Sequence, residues 1–114
     1  VETRFCPKPQ GLGYVRADVV LPNPYFPQGS VLRGHEFHYS LCHEPAAVSG
    51  RLDHALRLRK GTGMGRDAEG HGRDGLVSGR VWAAYCHIFA PAVPGWAPRF
   101  VELARCYRQE RMGG

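Results

Sequence analysis

The sequence has no long apolar run, little lysine and no closely spaced pair of cysteines. None of its 114 residues lies in a run of roughly 18 to 20 apolar residues, so we expect neither a membrane-spanning helix nor a membrane partner. No N-terminal stretch joins a basic head to an apolar segment, so we expect no signal peptide. Val1 stands where an initiator methionine would be, which suggests that the chain is part of something longer.

The positive charge of the chain comes almost entirely from arginine. Lysine and arginine number 15 against 10 acidic residues, and only Lys8 and Lys60 are lysine. Nucleic-acid binding needs these charges in one stripe with interleaved aromatics. Here they are scattered over several elements, so the sequence predicts no nucleic-acid partner.

The spacing of the four cysteines does not indicate a disulfide framework. Cys6, Cys42, Cys86 and Cys106 show no CxxC spacing. We therefore expect free, mostly buried thiols and a protein of the reducing cytoplasm.

The apolar pattern predicts a strand-rich chain with one C-terminal helix. In the first strand Val15, Ala17, Val19 and Leu21 should face inward and Tyr14 outward. Gly34 within the second strand indicates a bulge or a close backbone approach. The predicted strands are 12–21, 31–42, 55–59 and 76–87, and the predicted irregular segments are 1–11, 22–30, 45–53 and a mobile glycine-rich loop at 61–75.

The predicted helix begins near Pro98, which is tolerated only in a first turn. A buried stripe at helical spacing is expected from Trp96, Phe100, Leu103, Ala104 and Tyr107.

Two apparent binding motifs are rejected on spacing. Residues 70–75, GHGRDG, match GxGxxG, but a strand rather than a helix should follow them. His35, His38, Cys42 and His43 are zinc-ligand types, but positions 35 and 38 face opposite sides of a strand. The sequence therefore predicts no metal and no cofactor site in this chain.

His87 is the best candidate for proton transfer. It ends an apolar strand, where a catalytic base is often held facing a cleft. Its neighbour Cys86 should point to the opposite face, so the two cannot form a thiol–imidazole pair directly.

The segment RGHEFHYS, residues 33–40, resembles a signature of the cobyrinic acid a,c-diamide synthase family. The flanking segments resemble that family's glutamine amidotransferase domain in the same order. They are VETR at the start, LGYVRADVV at 12–20, GLVSGRVWAAYCHIF at 75–89 and PRFVELARCYR at 98–108. The resemblance covers essentially the whole chain.

This resemblance implies an α/β fold, part of a class I amidotransferase three-layer domain. It also implies glutamine hydrolysis, in which a cysteine thiolate attacks the side-chain amide and a histidine returns the proton to ammonia. By that pattern His87 is the catalytic histidine. His35 and Glu36 are either its active-site neighbours or residues whose hydrogen bonds hold the loops. The ammonia would amidate the a- and c-carboxylates of a corrin ring, activated by ATP and magnesium in a separate N-terminal domain.

The chain also departs from the family pattern. Phe89 stands where the family has a second histidine, and no acidic residue follows His87 to orient it. None of the cysteines is followed by glycine, so the family's CGG nucleophile is absent. We therefore interpret residues 1–114 as the C-terminal half of the amidotransferase domain, inactive alone and dependent on an upstream half that carries the cysteine.

Two other interpretations stay open. The related synthase acting on a nickel tetrapyrrole has a similar amidotransferase domain. A catalytically inactive binding or scaffold module would retain the same fold. A sheet separated from its upstream strands should expose an edge and a face, so we also expect a homo-oligomer or a partner segment.

Overall fold

A computed structural model of the chain describes residues 1–44 and 52–114. Within these residues it is a mixed α/β structure, mostly strands followed by a C-terminal helix. The strands are β1 (Glu2–Phe5), β2 (Gly11–Val19), β3 (Val31–His38), β4 (Ser40–His43), β5 (Asp53–Lys60), β6 (Gly72–Ser78), β7 (Val81–Ala83) and β8 (His87–Ile88). A 3-10 turn at Ala90–Ala92 precedes helix α1, Trp96–Gly113.

Six of the strands form an antiparallel sheet that curls until its two edges approach each other. The strand order is β7-β6-β5-β2-β3-β8, while β1 pairs only with β4. A flat sheet of this order would separate β7 from β8 by about 24 Å. The connection through residues 84–86 can reach only about 14 Å, so the sheet must bend. The buried Asp74 carboxylate secures this connection by accepting the backbone N–H groups of Tyr85, at 3.1 Å, and Cys86, at 2.8 Å.

The core lies on the inner face of this curled sheet. The predicted alternation of β2 is confirmed for Val15, Ala17 and Val19, which are buried, and for Tyr14, which is 77% exposed. It is wrong for Leu21, which lies beyond the end of β2 and is exposed. The cluster is completed by the strand residues Leu32, Leu56 and Leu58, by Cys86 before β8, and by Phe26 from the 22–30 loop.

The glycine-rich segment differs from its prediction as a mobile loop. Residues 72–75 belong to β6, and Gly63 and Met64 are buried. The reason is steric. A Cβ at Gly75 would lie 2.7 Å from the Trp82 ring, and one at Gly63 would lie 2.4 Å from a backbone oxygen. Glycine here allows close packing rather than mobility. Because 70–75 leads into a strand, the rejection of a dinucleotide fingerprint stands.

Three other predicted boundaries are wrong. The first eleven residues contain β1, whose partner β4 is distant in sequence. The strand predicted at 31–42 breaks at Tyr39 into β3 and β4. The strand predicted at 76–87 is three strands, because Gly79, at φ +56°, turns the chain between β6 and β7. The connection predicted at 45–53 lies largely outside the described residues.

The helix carries its apolar stripe toward the sheet but does not bury it. Phe100 stacks on Tyr25 at 6.2 Å between ring centroids, yet remains 54% exposed. No residue of α1 is buried, so the predicted buried stripe is wrong. The position of Pro98 in the first turn is confirmed. No helix among the described residues is long and apolar enough to cross a membrane.

The four cysteines are all free thiols, but they are not mostly buried as predicted. Cys86 is buried, whereas Cys6, Cys42 and Cys106 are partly exposed. Of the four cysteines, Cys86 is the one whose side chain packs into the core.

Candidate active site

His87 lies on the outer face of the curled sheet, directly across from His35. The two residues are register partners on β8 and β3. Nδ1 of His87 is 3.2 Å from Nε2 of His35, and the rings meet edge to face. Both side chains are exposed. One ring nitrogen of the pair must donate and the other accept, so the contact fixes the tautomers relative to each other.

Gly34 makes this pairing possible. A Cβ at this position would lie 2.0 Å from the carbonyl oxygen of His87 and 3.0 Å from Sγ of Cys86. β8 could then not lie against β3. The close approach predicted for Gly34 is therefore confirmed, and its effect is to bring His35 and His87 together.

Glu36 follows His35 but points to the inner face, as strand alternation requires. It is 3% exposed and accepts the backbone N–H groups of Thr62, at 2.5 Å, and Gly63, at 2.8 Å. Nε2 of His38 lies 2.9 Å from its carboxylate. Burial alone would raise the pKa of Glu36, but these three hydrogen bonds together lower it below its ordinary value. The structure therefore separates Glu36 from the His35–His87 pair and uses it to hold the loop at 61–63.

The inner face of the GHEFHYS segment continues as a buried polar cluster. His38 stacks on Tyr85 with ring centroids 3.7 Å apart, and its Nδ1 lies 2.8 Å from the Ser40 carbonyl oxygen. The Ser40 hydroxyl lies 2.6 Å from that of Tyr85. His38 is therefore committed to internal partners rather than to a zinc ion shared with His35.

Cys86 cannot act as the nucleophile for His87. Its side chain points into the core, away from the imidazole of His87, as predicted. Burial, reinforced by the charges of Asp74 and Glu36, raises the pKa of the Cys86 thiol to about 12. A thiol in this state does not supply the thiolate that nucleophilic attack requires. Burial also raises the pKa of Asp74, against the hydrogen bonds from Cys86, Tyr85 and Gly75.

Sequence reasoning proposed His87 and named His35 and Glu36 as possible neighbours, but it did not show which of the two contacts His87. The contact with His35 depends on the pairing of β8 with β3, and the two residues are 52 positions apart. Asp74 was missed, because it lay within a segment interpreted as a loop. Its only sequence signal was an acidic residue shortly before an apolar strand, next to Arg73.

Comparison with known proteins finds relatives that are all named as a,c-diamide synthases. The chain is 38% identical over 95 residues to the cobyrinate a,c-diamide synthase of Methanothermobacter thermautotrophicus, covering 83% of this chain and 19% of that protein. It is 31% identical over 109 residues to the synthase of the same name from Magnetococcus marinus, covering 96% and 21%. It is 37% identical over 82 residues to the hydrogenobyrinate a,c-diamide synthase of Agrobacterium fabrum, covering 72% and 18%.

These matches confirm the resemblance found in the sequence. The chain is related to the cobyrinate and hydrogenobyrinate a,c-diamide synthases through one stretch, and it spans about a fifth of their length. No protein-family model and no solved structure matches the chain. The assignment to a class I amidotransferase three-layer domain therefore stays a prediction.

Proposed function

Since the chain is related to one stretch of the a,c-diamide synthases, we propose that it is the histidine-bearing part of their glutamine-hydrolysing domain. The observation that carries this proposal is the exposed His87 imidazole, which begins β8 rather than ending a longer strand and which contacts His35. His87 is the base, and an upstream segment supplies the cysteine. The ammonia released would amidate the a- and c-carboxylates of cobyrinic or hydrogenobyrinic acid in cobalamin biosynthesis.

The chemistry asked of His87 is proton transfer in both directions. It takes the proton of the upstream thiol, whose sulfur attacks the side-chain amide carbon of glutamine. The C–N bond then breaks, and the imidazolium returns the proton to the departing ammonia, leaving a thioester. Water hydrolyses the thioester to glutamate and regenerates the thiol. An imidazole suits both steps because its ordinary pKa lies near neutrality.

His35 supplies the orienting contact that the sequence left undefined. When Nδ1–H of His87 donates to Nε2 of His35, Nε2 of His87 carries the free lone pair. That nitrogen then faces the outer side of the sheet, where the upstream cysteine would approach. His35 is thus a positioning residue, and Glu36 supports the strand from its other face.

We infer that ATP and magnesium bind outside this chain. The glycine-rich segment at 70–75 enters β6 rather than a helix, so it lacks the geometry of a phosphate-binding loop. We place ATP activation of the carboxylates in a part of the synthase outside this chain, where the corrin acid would also bind.

The proposal is tested by measuring ammonia release from glutamine. The 114-residue chain alone should release none, because Cys86 is the only cysteine adjacent to His87 and is a buried thiol. A chimera in which this chain replaces the matching stretch of the Methanothermobacter synthase should release ammonia. Release by the chain alone, or a folded chimera without release, would contradict the proposal.

A catalytically inactive binding module is the second candidate, favoured by the high pKa of the Cys86 thiol and by the lack, among residues 1–44 and 52–114, of another nucleophile beside His87. It predicts a folded chimera that does not hydrolyse glutamine. The nickel-tetrapyrrole synthase is distinguished instead by which acid the active chimera amidates.

A further inference from the structure

Three cations meet on the outer face of the sheet beside the two histidines. Arg16 of β2 lies directly across from Arg33 of β3 and from Lys60 of β5. Together with Tyr14 they line one depression of about 260 Å³. The Lys60 ammonium also lies 5.9 Å from the centre of the Tyr14 ring.

Like charges placed directly across a sheet repel each other. Within the described residues, none of these three side chains forms an ion pair with a carboxylate. Asp18 lies two residues beyond Arg16 on β2. It accepts a hydrogen bond from Arg59 at 2.6 Å. The sheet therefore neutralises a neighbouring cation while it leaves these three facing an open depression.

The spacing connects the depression to the histidine pair. Arg33 lies two residues before His35 on the same face of β3, a separation of about 7 Å. Tyr14 is the register partner of His35 and forms the boundary between the two features. A small molecule with an anionic group in the depression could thus place a second group against His35 and His87.

We propose that this depression binds a carboxylate of a small-molecule substrate. Guanidinium groups match carboxylates because they donate two parallel hydrogen bonds. This inference rests on the proposed function, which offers two sources of carboxylate. One is the α-carboxylate of glutamine, and the other is a carboxylate on the tetrapyrrole acid.

The test titrates the 114-residue chain at constant ionic strength while its backbone amide resonances are followed by NMR. The probes are L-glutamine, L-glutamine α-amide and citrate, the last as a polycarboxylate. Saturable shifts at Arg16, Arg33 and Lys60 with glutamine, but not with its α-amide, would identify the amide donor. Shifts with citrate alone would identify the acid acceptor. No saturable shift with either carboxylate would overturn the proposal.

Charge-removing variants distinguish binding in the depression from attraction to the overall positive charge of the surface. Arg33→Gln and Lys60→Gln should each weaken binding by about tenfold or more. Arg108→Gln, which removes the same charge from an exposed position of α1, should leave binding unchanged. Equal weakening by Arg108→Gln would overturn the proposal. Lys60→Gln provides the same test if Arg33→Gln does not fold.

His87→Ala distinguishes failure of this inference from failure of the proposed function. It should abolish ammonia release by the chimera while it leaves carboxylate binding by the chain within about twofold, since it removes no cation from the depression. Loss of binding in His87→Ala together with unchanged binding in Arg33→Gln would place the carboxylate at the histidines and overturn the inference.

Discussion

The two faces of β3 carry one sequence motif but differ in nearly every physical respect. On the inner face, Glu36 and His38 are buried and bonded to each other and to the backbone. On the outer face, His35 is exposed and bonded only to another exposed histidine, and Arg33 has no acidic partner among the described residues. The comparison teaches that alternate residues of one strand motif can be buried to support the fold or left exposed on the surface.

The largest expected effect comes from removing the inner-face carboxylate. Glu36→Ala should lower the free energy of unfolding by about 3–5 kcal/mol, because it leaves two backbone N–H groups and His38 without their buried acceptor. His35→Ala is the matched control on the outer face and should change stability by less than about 0.5 kcal/mol. Urea unfolding measures both, and equal losses would erase the distinction between the faces.

The next effect tests how the outer face is assembled. Gly34→Ala should destabilise the chain by about 1–3 kcal/mol, because the added Cβ would displace β8 from β3. It should also separate His35 from His87, which the loss of NMR nuclear Overhauser effects between the two imidazole rings would detect. Gly95→Ala is the control, since a Cβ there meets nothing within 4 Å. Unchanged Overhauser effects between the rings in Gly34→Ala would show that the histidine pair does not depend on this close approach.

The pH dependence of stability should also differ between the buried carboxylate of Glu36 and an exposed carboxylate. The pKa of Glu36 is lower in the folded chain than its ordinary value of 4.5, so its ionised form stabilises the fold above that pH. This stabilisation should decline as the pH falls through 4.5 toward the folded pKa. Glu36→Gln should flatten that part of the stability profile, whereas Glu102→Gln on the exposed helix should not. Identical profiles for the wild type and Glu36→Gln would contradict the assignment.

The smallest effect concerns the unpaired cations. Arg33→Gln should raise the free energy of unfolding by about 0.2–1 kcal/mol at low salt, because it relieves repulsion across the strands. The gain should shrink near 1 M salt, where charges are screened over about 3 Å. Arg108→Gln should have no comparable effect. A loss of stability in Arg33→Gln would mean that this arginine contributes packing that outweighs its repulsion.

The sequence predicted features that depend on local pattern. Alternation placed Val15 and Tyr14 on opposite faces, and an isolated glycine at position 34 marked a close backbone approach. The direct contact of His35 with His87 could not be predicted from local pattern, because it depends on which strand β8 joins after the sheet curls. The first four residues of β6 were missed for a related reason, since Gly72 and Gly75 were interpreted as sources of mobility. Their small size is in fact needed against Leu58 and Trp82, which the pairing of β6 with β5 and β7 brings close.

The motif was enough to predict the family resemblance. It did not show which of its residues are buried and which lie beside His87. Both His35 and Glu36 were candidate neighbours of His87. The period of a strand already implies that adjacent residues diverge. Only the pairing of β3 with β8 shows which of the two faces His87.

The most direct measurement of the central claim is the rate of glutamine hydrolysis by the synthase chimera with His87→Ala, recorded with its urea unfolding midpoint. The account predicts that kcat falls by roughly 10²–10⁴ while the midpoint is unchanged, because the exposed imidazole transfers protons and holds no buried structure. Undiminished hydrolysis by His87→Ala would contradict the account and assign the base to another residue.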